Sequence, residues 1–206
     1  MSAGFSRRRF AGGAASLLGL AALGSTAQAR APGKLTPADF MPVLTGLDHP
    51  EGIAATPEHS LYFSSGGGAL GIRAPGGAIR YIGEAIAPNG VAIDREGRAI
   101  VANMGLLKGR PGTLQRIDPR TGTVETLVAE LEGRPLAASN GPVAARDGTL
   151  YCTHSTWGPV ANIGTTAATG FIYRVTPDGC ADIVARNLRG VNGLCLDREE
   201  RWLTPR

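Results

Sequence analysis

Residues 88–102 place two short apolar runs around a polar turn, and they read Pro88-Asn89-Gly90-Val91-Ala92-Ile93-Asp94-Arg95-Glu96-Gly97-Arg98-Ala99-Ile100-Val101-Ala102. Short apolar runs that flank a turn rich in Asp and Gly are typical of a β-hairpin. The stretch therefore predicts two antiparallel strands, with Asn89 and Gly90 at the start of the first strand.

Three other segments repeat this arrangement, and in them Glu51, Asn140 and Asn192 occupy the position of Asn89. We call these four residues the polar heads. Each is followed by a Gly and a short apolar strand, and successive heads are 38, 51 and 52 residues apart. A β-propeller blade uses four short strands over about 40–50 residues, so the spacing predicts an all-β propeller.

Further hairpins lie between the heads. Residues 114–117 lead through a turn into residues 124–128, and residues 171–175 lead through Asp178-Gly179 into residues 181–184. Asp147-Gly148 has the same character, and these Asp-Gly pairs predict hairpin turns rather than acid–base pairs. The 177 residues from Arg30 to Arg206 correspond to about four blades, the last of them barely begun.

The first 29 residues predict an export signal. Arg7, Arg8 and Arg9 precede a short Ala-, Leu- and Gly-rich run, and Ala27-Gln28-Ala29 is typical of a cleavage site. The start resembles a twin-arginine signal, with an ordinary secretory signal as the alternative. We therefore expect engagement of the twin-arginine export machinery, cleavage near Ala29, and a bacterial periplasmic or secreted protein without stable membrane insertion. Residues 30–46 are expected to form an N-terminal extension, and residues 47–206 a partial β-propeller.

Composition narrows the function classes. An apolar content of 43% excludes wholesale disorder, and 30 glycines suit many tight turns. The net charge of +4 arises mainly from the three signal arginines, so no basic surface is expected for nucleic acid. Cys152, Cys180 and Cys195 lack the spacing of a zinc site and are each expected to be buried as small apolar side chains.

The repeats carry a family resemblance from about Leu47 to Leu196. His49-Pro50-Glu51-Gly52, residues 89–98, residues 139–158 and Val191-Asn192-Gly193-Leu194 occur in order at blade spacing. Together they resemble the senescence-marker-protein / gluconolactonase / luciferin-regenerating-enzyme family of six-bladed propeller lactonases. The resemblance implies a six-bladed family architecture of which only about four blades are present, so we expect the chain to be truncated at its C-terminus.

The resemblance also implies a divalent cation held by one Glu, two Asn and one Asp from different blades. Glu51, Asn140 and Asn192 match the first three ligands. The Asp, which also serves as the general base in the family, is expected about one blade after Asn192 and therefore beyond Arg206. Carboxylate and amide oxygens suit calcium, with magnesium or zinc as alternatives. The other interpretation is a solvated turn acid for Glu51 and turn-forming amides for the two Asn residues.

The implied activity is hydrolysis of a small-molecule lactone or related ester by water that attacks a metal-polarised carbonyl, at a site that is incomplete in this chain. Asn89, His154 and Trp157 are candidate substrate contacts. Their alternatives are a turn former, a hydrogen-bonded structural His and a core aromatic residue. Two other readings of the whole chain remain, namely a non-catalytic propeller that binds a ligand or protein, and an inactive fragment.

Overall fold

The computed structural model describes residues 35–201 and 203–205 as an all-β protein. The predicted signal, residues 1–29, lies outside the described residues, as do residues 30–34 of the predicted extension. The chain divides into one unit that ends at Val43 and a second unit, Leu44–Arg206. The described part of the first unit contains a 3-10 turn, Pro37–Asp39, whose Asp39 carboxylate accepts hydrogen bonds from the Thr36 backbone N–H and hydroxyl, each at 2.8 Å.

The second unit consists of antiparallel sheets whose strands pair in chain order. Blade 1 contains β1 (Ile53–Ala55), β2 (Leu61–Ser64), β3 (Leu70–Arg73) and β4 (Ile79–Ile82). Blade 2 contains β5 (Pro88–Ile93), β6 (Ala99–Asn103), β7 (Leu114–Ile117) and β8 (Val124–Val128). A small hairpin follows, with β9 (Glu130–Leu131) and β10 (Arg134–Pro135). Blade 3 contains β11 (Ser139–Ala144), β12 (Leu150–His154), β13 (Gly170–Val175) and β14 (Ala181–Leu188). The final pair is β15 (Leu194–Leu196) with β16 (Leu203–Pro205).

This arrangement confirms the predicted propeller, with three four-stranded sheets, the small hairpin of β9 and β10, and a last two-stranded sheet in the described residues. The predicted hairpins coincide with β7–β8 and β13–β14. Gly148 and Gly179 have φ values of +91° and +88°, so both Asp-Gly pairs form turns that need the left-handed freedom of Gly. Two short 3-10 turns, Gly105–Lys108 and Val160–Asn162, interrupt the loops.

The core lies between neighbouring blades, because alternate residues of a strand face opposite sides of its sheet. In β6, Ile100 and Ala102 join an apolar cluster shared with blade 3, whereas Ala99 and Val101 join a cluster shared with blade 1. All five residues of β6 are consequently buried. The inner strand β5 in turn packs against β1 and β11, and β11 packs against β15.

The cysteines correct one expectation. Cys152 is fully buried, as expected, but Cys180 and Cys195 are exposed, so the prediction was wrong for these two. Cys180 follows the turn at Gly179, and Cys195 lies in the last sheet, where the described chain provides little cover. None of the helical segments in the described part of the chain is long and apolar enough to span a bilayer.

Candidate functional site

The four polar heads converge, although they are far apart in the sequence. Glu51, Asn89, Asn140 and Asn192 line one cavity of ≈ 260 Å³, together with the residues that follow each head. We call it the head cavity. The structure thus brings the three predicted metal ligands together and adds Asn89 to them.

Irregular strand pairing explains the orientation of the heads in blades 2 and 3. Pairing within blades 2 and 3 shifts register between Pro88 and Val91 and between Ser139 and Pro142. Asn89-Gly90 and Asn140-Gly141 therefore lie in β-bulges, which redirect side chains at the start of a strand.

Glycines set the separation between successive heads. A methyl group on Gly52 would overlap the Asn89 carbonyl oxygen, and one on Gly90 would overlap the Asn140 carbonyl oxygen. On Gly141 it would lie 2.5 Å from the Asn192 carbonyl oxygen. Each head is therefore in backbone contact with the next, and only Gly leaves room for that approach.

A buried polar residue ends the second strand of each blade and holds the segment that leads into the first strand. In blade 1, Ser64 Oγ accepts the Glu51 and Gly52 N–H groups, both at 2.9 Å. In blade 2, Asn103 Oδ1 accepts the Ala87 N–H at 2.7 Å. In blade 3, His154 Nε2 accepts the N–H groups of Ala137 and Ala138 at 3.0 and 3.1 Å. Ser64, Asn103 and His154 are each 0% exposed, so these bonds form away from water.

Asn140 is the most firmly held head. Its side chain is buried, and its Nδ2 donates to Ser155 Oγ at 3.1 Å, while Ser155 Oγ donates to the Val191 carbonyl at 2.7 Å. Thr153 Oγ1 accepts the Gly141 N–H at 2.8 Å and donates to the Asn192 carbonyl. These bonds connect blade 3 to the segment that leads into β15, and they leave the Asn140 side-chain oxygen free while its nitrogen is bonded.

The side-chain oxygens of the predicted ligands are available. Within the described residues, Glu51 and Asn192 make no side-chain hydrogen bond, and Asn140 Oδ1 accepts none. Glu51 and Asn192 are exposed at the cavity. No cluster of three or more His, Cys, Asp or Glu side chains that could hold a metal occurs in the described part of the chain, so any metal here would rely on the amides.

A second cavity of ≈ 360 Å³ adjoins the first, because Glu51 and Asn89 line both. Its walls include Met104 and Leu107, and Lys108 reaches it while Nζ donates to the Gly66 carbonyl at 2.7 Å. Asn89 therefore lies where a ligand at the head cavity would extend toward blades 1 and 2.

His154 and Trp157 are elsewhere. His154 is fully buried and stacks on Phe171 with a centroid distance of 4.4 Å, so the hydrogen-bonded structural alternative describes its position. Burial, reinforced by the positive charge of Arg134, lowers the pKa of His154 to about 3. The ring is then neutral, and since Nε2 accepts two bonds, Nδ1 carries the proton without an acceptor among the described residues. Trp157 lines a separate cavity, so neither side chain reaches the head cavity, and a substrate contact by either stays a prediction.

Sequence reasoning missed the residues that support the heads, namely Ser64, Asn103, Thr153 and Ser155. A signal for the first two was present, because each second strand ends in a polar residue after an apolar run. A polar residue at the end of a strand also occurs in ordinary turns, and only the register between the first two strands of a blade shows that it supports a head.

Comparisons with known proteins agree with this architecture. Residues 49–204 match the family model of the SMP-30/gluconolactonase/LRE-like region. A gluconolactonase from Xanthomonas campestris aligns with a TM-score of 0.65 and 23% identity over 79% of this chain and 56% of its own length. A proposed gluconolactonase aligns with a TM-score of 0.63 and 20% identity over 79% and 57%. The PQQ-bound aldose sugar dehydrogenase of Streptomyces coelicolor aligns with a TM-score of 0.55 and 21% identity, also over 79% and 57%.

The chain therefore spans less than two thirds of the length of these structures, and at such identities the likeness establishes the fold alone. No curated protein matches the chain.

Proposed function

Since the chain belongs to the SMP-30/gluconolactonase/LRE-like family, we propose that it acts in the metal-dependent hydrolysis of a small lactone or related ester at the head cavity. The observation that carries the proposal is the convergence of Glu51, Asn140 and Asn192 on one cavity. The chain spans only part of its structural relatives, so the proposal concerns the part of such a site that this chain supplies.

The residues present fit a hard divalent cation. Glu51 would provide a carboxylate, and Asn140 and Asn192 would provide amide oxygens, a donor set that favours calcium over softer metals. The glycines leave a polar cradle between the heads that a methyl group would partly fill. When bound, such a cation supplies Lewis-acid polarisation of a carbonyl and charge stabilisation of the developing oxyanion.

The chain's own contribution is preorganisation. Ser155 accepts the Asn140 Nδ2–H, so the Asn140 oxygen, rather than its nitrogen, is left to face a ligand. Thr153 holds the Gly141 and Asn192 backbones against each other, which limits the spread of the two amide heads. Groups held in place before binding cost less entropy when a ligand arrives.

Substrate contacts are assigned to Asn89 and the adjoining cavity. Asn89 Nδ2 can donate to a lactone oxygen and its Oδ1 can accept from a hydroxyl substituent, and Met104 and Leu107 offer an apolar wall to the ring substituent. The proton from the attacking water is not assigned to a described residue, because the family resemblance places the general base one blade beyond Asn192.

The test is a calcium titration of thermal unfolding of the full chain, with chelator as the reference. Preferential binding to the folded form raises stability by about 2.7 kcal/mol at a hundredfold excess over Kd. We expect a saturable rise in Tm that Glu51→Gln diminishes and that Glu58→Gln, at an exposed acid of the same blade, leaves intact. A transition indifferent to calcium would overturn the cation site.

Catalysis is tested separately with γ- and δ-lactones in a pH-stat. Calcium-dependent acid release above the chelator control would support the hydrolase. Calcium binding without turnover would keep the cation site and overturn hydrolysis by this chain alone, because the residues that it supplies would then bind the cation without completing the reaction.

A further inference from the structure

A separate cavity of ≈ 310 Å³ opens on blade 3, and none of the four polar heads lines it. Its walls include Arg134, Trp157, Phe171, Arg186 and Asn187. We infer that this cavity, called the arginine–tryptophan cavity below, binds a small aromatic carboxylate. The inference does not depend on the proposed hydrolase.

The apolar wall is rigid before any ligand arrives. Trp157 and Phe171 are 4.4 Å apart between ring centroids, and Phe171 stacks on the buried His154 ring at an angle of 14°. Trp157 Nε1 donates to the Pro135 carbonyl at 3.1 Å, which fixes the orientation of the indole. Trp157 remains only half-buried, so part of a fixed aromatic surface borders the cavity.

The cavity also holds a guanidinium that lacks an acidic partner. The Arg134 guanidinium carbon lies 4.7 Å from the centre of the Trp157 ring, and Nη2 donates to the Trp157 carbonyl at 3.1 Å. No carboxylate in the described part of the chain pairs with Arg134. Arg186 differs, because it forms a two-point ion pair with Glu132.

These charges favour an anion. The Arg186–Glu132 pair is neutral as a whole, and the nearby His154 is uncharged, so Arg134 leaves a positive charge at the wall. A guanidinium binds carboxylates through two parallel hydrogen bonds, which makes it selective for a planar anion over a neutral amide.

The size and the wall define the rest of the ligand. A cavity of this volume is at the lower end of the range for small-molecule sites, so it suits a single ring. A flat ring can stack beside Trp157 while its carboxylate meets Arg134, since aromatic pairs favour offset or tilted contact. Benzoate is the simplest compound that combines the two groups.

The experiment titrates the full chain with benzoate, benzamide and acetate, and follows tryptophan fluorescence and calorimetric heat. Chelator is present throughout, so that a carboxylate cannot bind through a cation at the head cavity. We expect saturable binding of benzoate, and at least tenfold weaker binding of benzamide and acetate. Equal affinity for benzamide, or no saturable binding of benzoate, would overturn the inference.

Arg134→Gln should weaken benzoate binding at least tenfold. Arg174→Gln is the matched control, because Arg174 pairs with Asp182 on the surface of the same blade and does not line the cavity. Circular dichroism and Tm establish that each variant is folded. Should Arg134→Gln fail to fold, Trp157→Leu tests the same cavity through the calorimetric signal. Wild-type affinity in a folded Arg134→Gln or Trp157→Leu variant would place the carboxylate elsewhere.

Discussion

The heads of blades 1 and 3 enter the same cavity, yet they are held very differently. Asn140 is 5% exposed, its Nδ2 donates to Ser155 Oγ, and its strand β11 has neighbouring strands β5 and β15. Glu51 is exposed, and Ile53, two residues later in β1, is 65% exposed. One half of the candidate site is therefore built in advance, while the other half has room to adjust.

The supporting bonds account for the difference. Ser64 alone holds the backbone at Glu51 and Gly52, whereas His154, Thr153 and Ser155 all act on the head of blade 3. A ligand that contacts both heads would have to fix the conformation of the Glu51 side chain, whereas the Asn140 side chain is already held in place. The comparison thus predicts that stability depends mainly on blade 3, and that ligand binding depends on both blades.

The largest effect should come from the backbone contact between heads. Gly90→Ala places a methyl group against the Asn140 carbonyl, between two strands that cannot easily separate, and should cost about 3 kcal/mol. Gly52→Ala should cost less, because β1 can shift. Urea unfolding measures both, and Gly76→Ala, which meets nothing within 4 Å, should stay within about 0.5 kcal/mol of wild type. An equal loss of unfolding free energy in Gly52→Ala and Gly90→Ala would contradict the difference in rigidity between blades 1 and 3.

Acid should weaken blade 3 specifically. The folded-state pKa of His154 is about 3, below the ordinary value of 6.5, so between these values the unfolded chain binds a proton that the folded chain excludes. The contribution of His154 to stability should therefore fall by about 1.4 kcal/mol per pH unit from pH 6.5 down to about pH 3, and this loss is absent above pH 6.5.

Denaturant unfolding at a series of pH values measures that slope. His154→Gln should flatten it, whereas His59→Gln, at an exposed position in blade 1, should leave it unchanged. An unaltered slope in His154→Gln would assign the acid sensitivity to other groups.

Asn140→Ala should lower stability even in chelator, by about 1–2 kcal/mol, because it removes the bond to Ser155 in a buried setting. It should also reduce the calcium-dependent rise in Tm. Thermal and urea unfolding with and without calcium separate the two losses. A variant as stable as wild type in chelator would show that the Ser155 bond does not support the head.

The smallest effect on stability belongs to Glu51→Gln. Its exposed side chain makes no hydrogen bond or ion pair with the described residues, so in chelator the change should stay within about 0.5 kcal/mol. The calcium response should nevertheless diminish. Large destabilisation in chelator would indicate that blade 1 is as firmly built as blade 3.

The repeat spacing in the sequence was enough to predict the propeller blades. The spacing of Glu51, Asn89, Asn140 and Asn192 predicted the blades. The family resemblance implied that Glu51, Asn140 and Asn192 share one site, and the meeting of Asn89 with them came from the structure. The same pattern could not reveal that Asn140 is buried and Glu51 exposed. That difference depends on the strands that pack against each head, and the repeat pattern does not distinguish one blade's neighbours from another's.

Individual side chains were less predictable for the same reason. His154 ends the second strand of blade 3 and Trp157 follows it, but both side chains pack against Phe171 and lie away from the head cavity. Cys180 and Cys195 occur in apolar sequence, yet the turn at Gly179 and the last sheet leave them exposed. The local sequence predicts strands and turns, whereas the burial of a side chain by another blade depends on residues that are distant in the sequence.

The glycine-to-carbonyl contacts between heads have a consequence for design. Because each of these contacts joins a glycine to a main-chain carbonyl, the spacing that they impose between successive heads does not depend on which side chain stands at a head. Exchanging Glu51, Asn89 or Asn192 would then alter the charge and donor chemistry of the head cavity while the glycine contacts stay in place. The chain offers a scaffold in which the donor groups of the proposed cation site could be exchanged one position at a time, without changes to the backbone contacts around them.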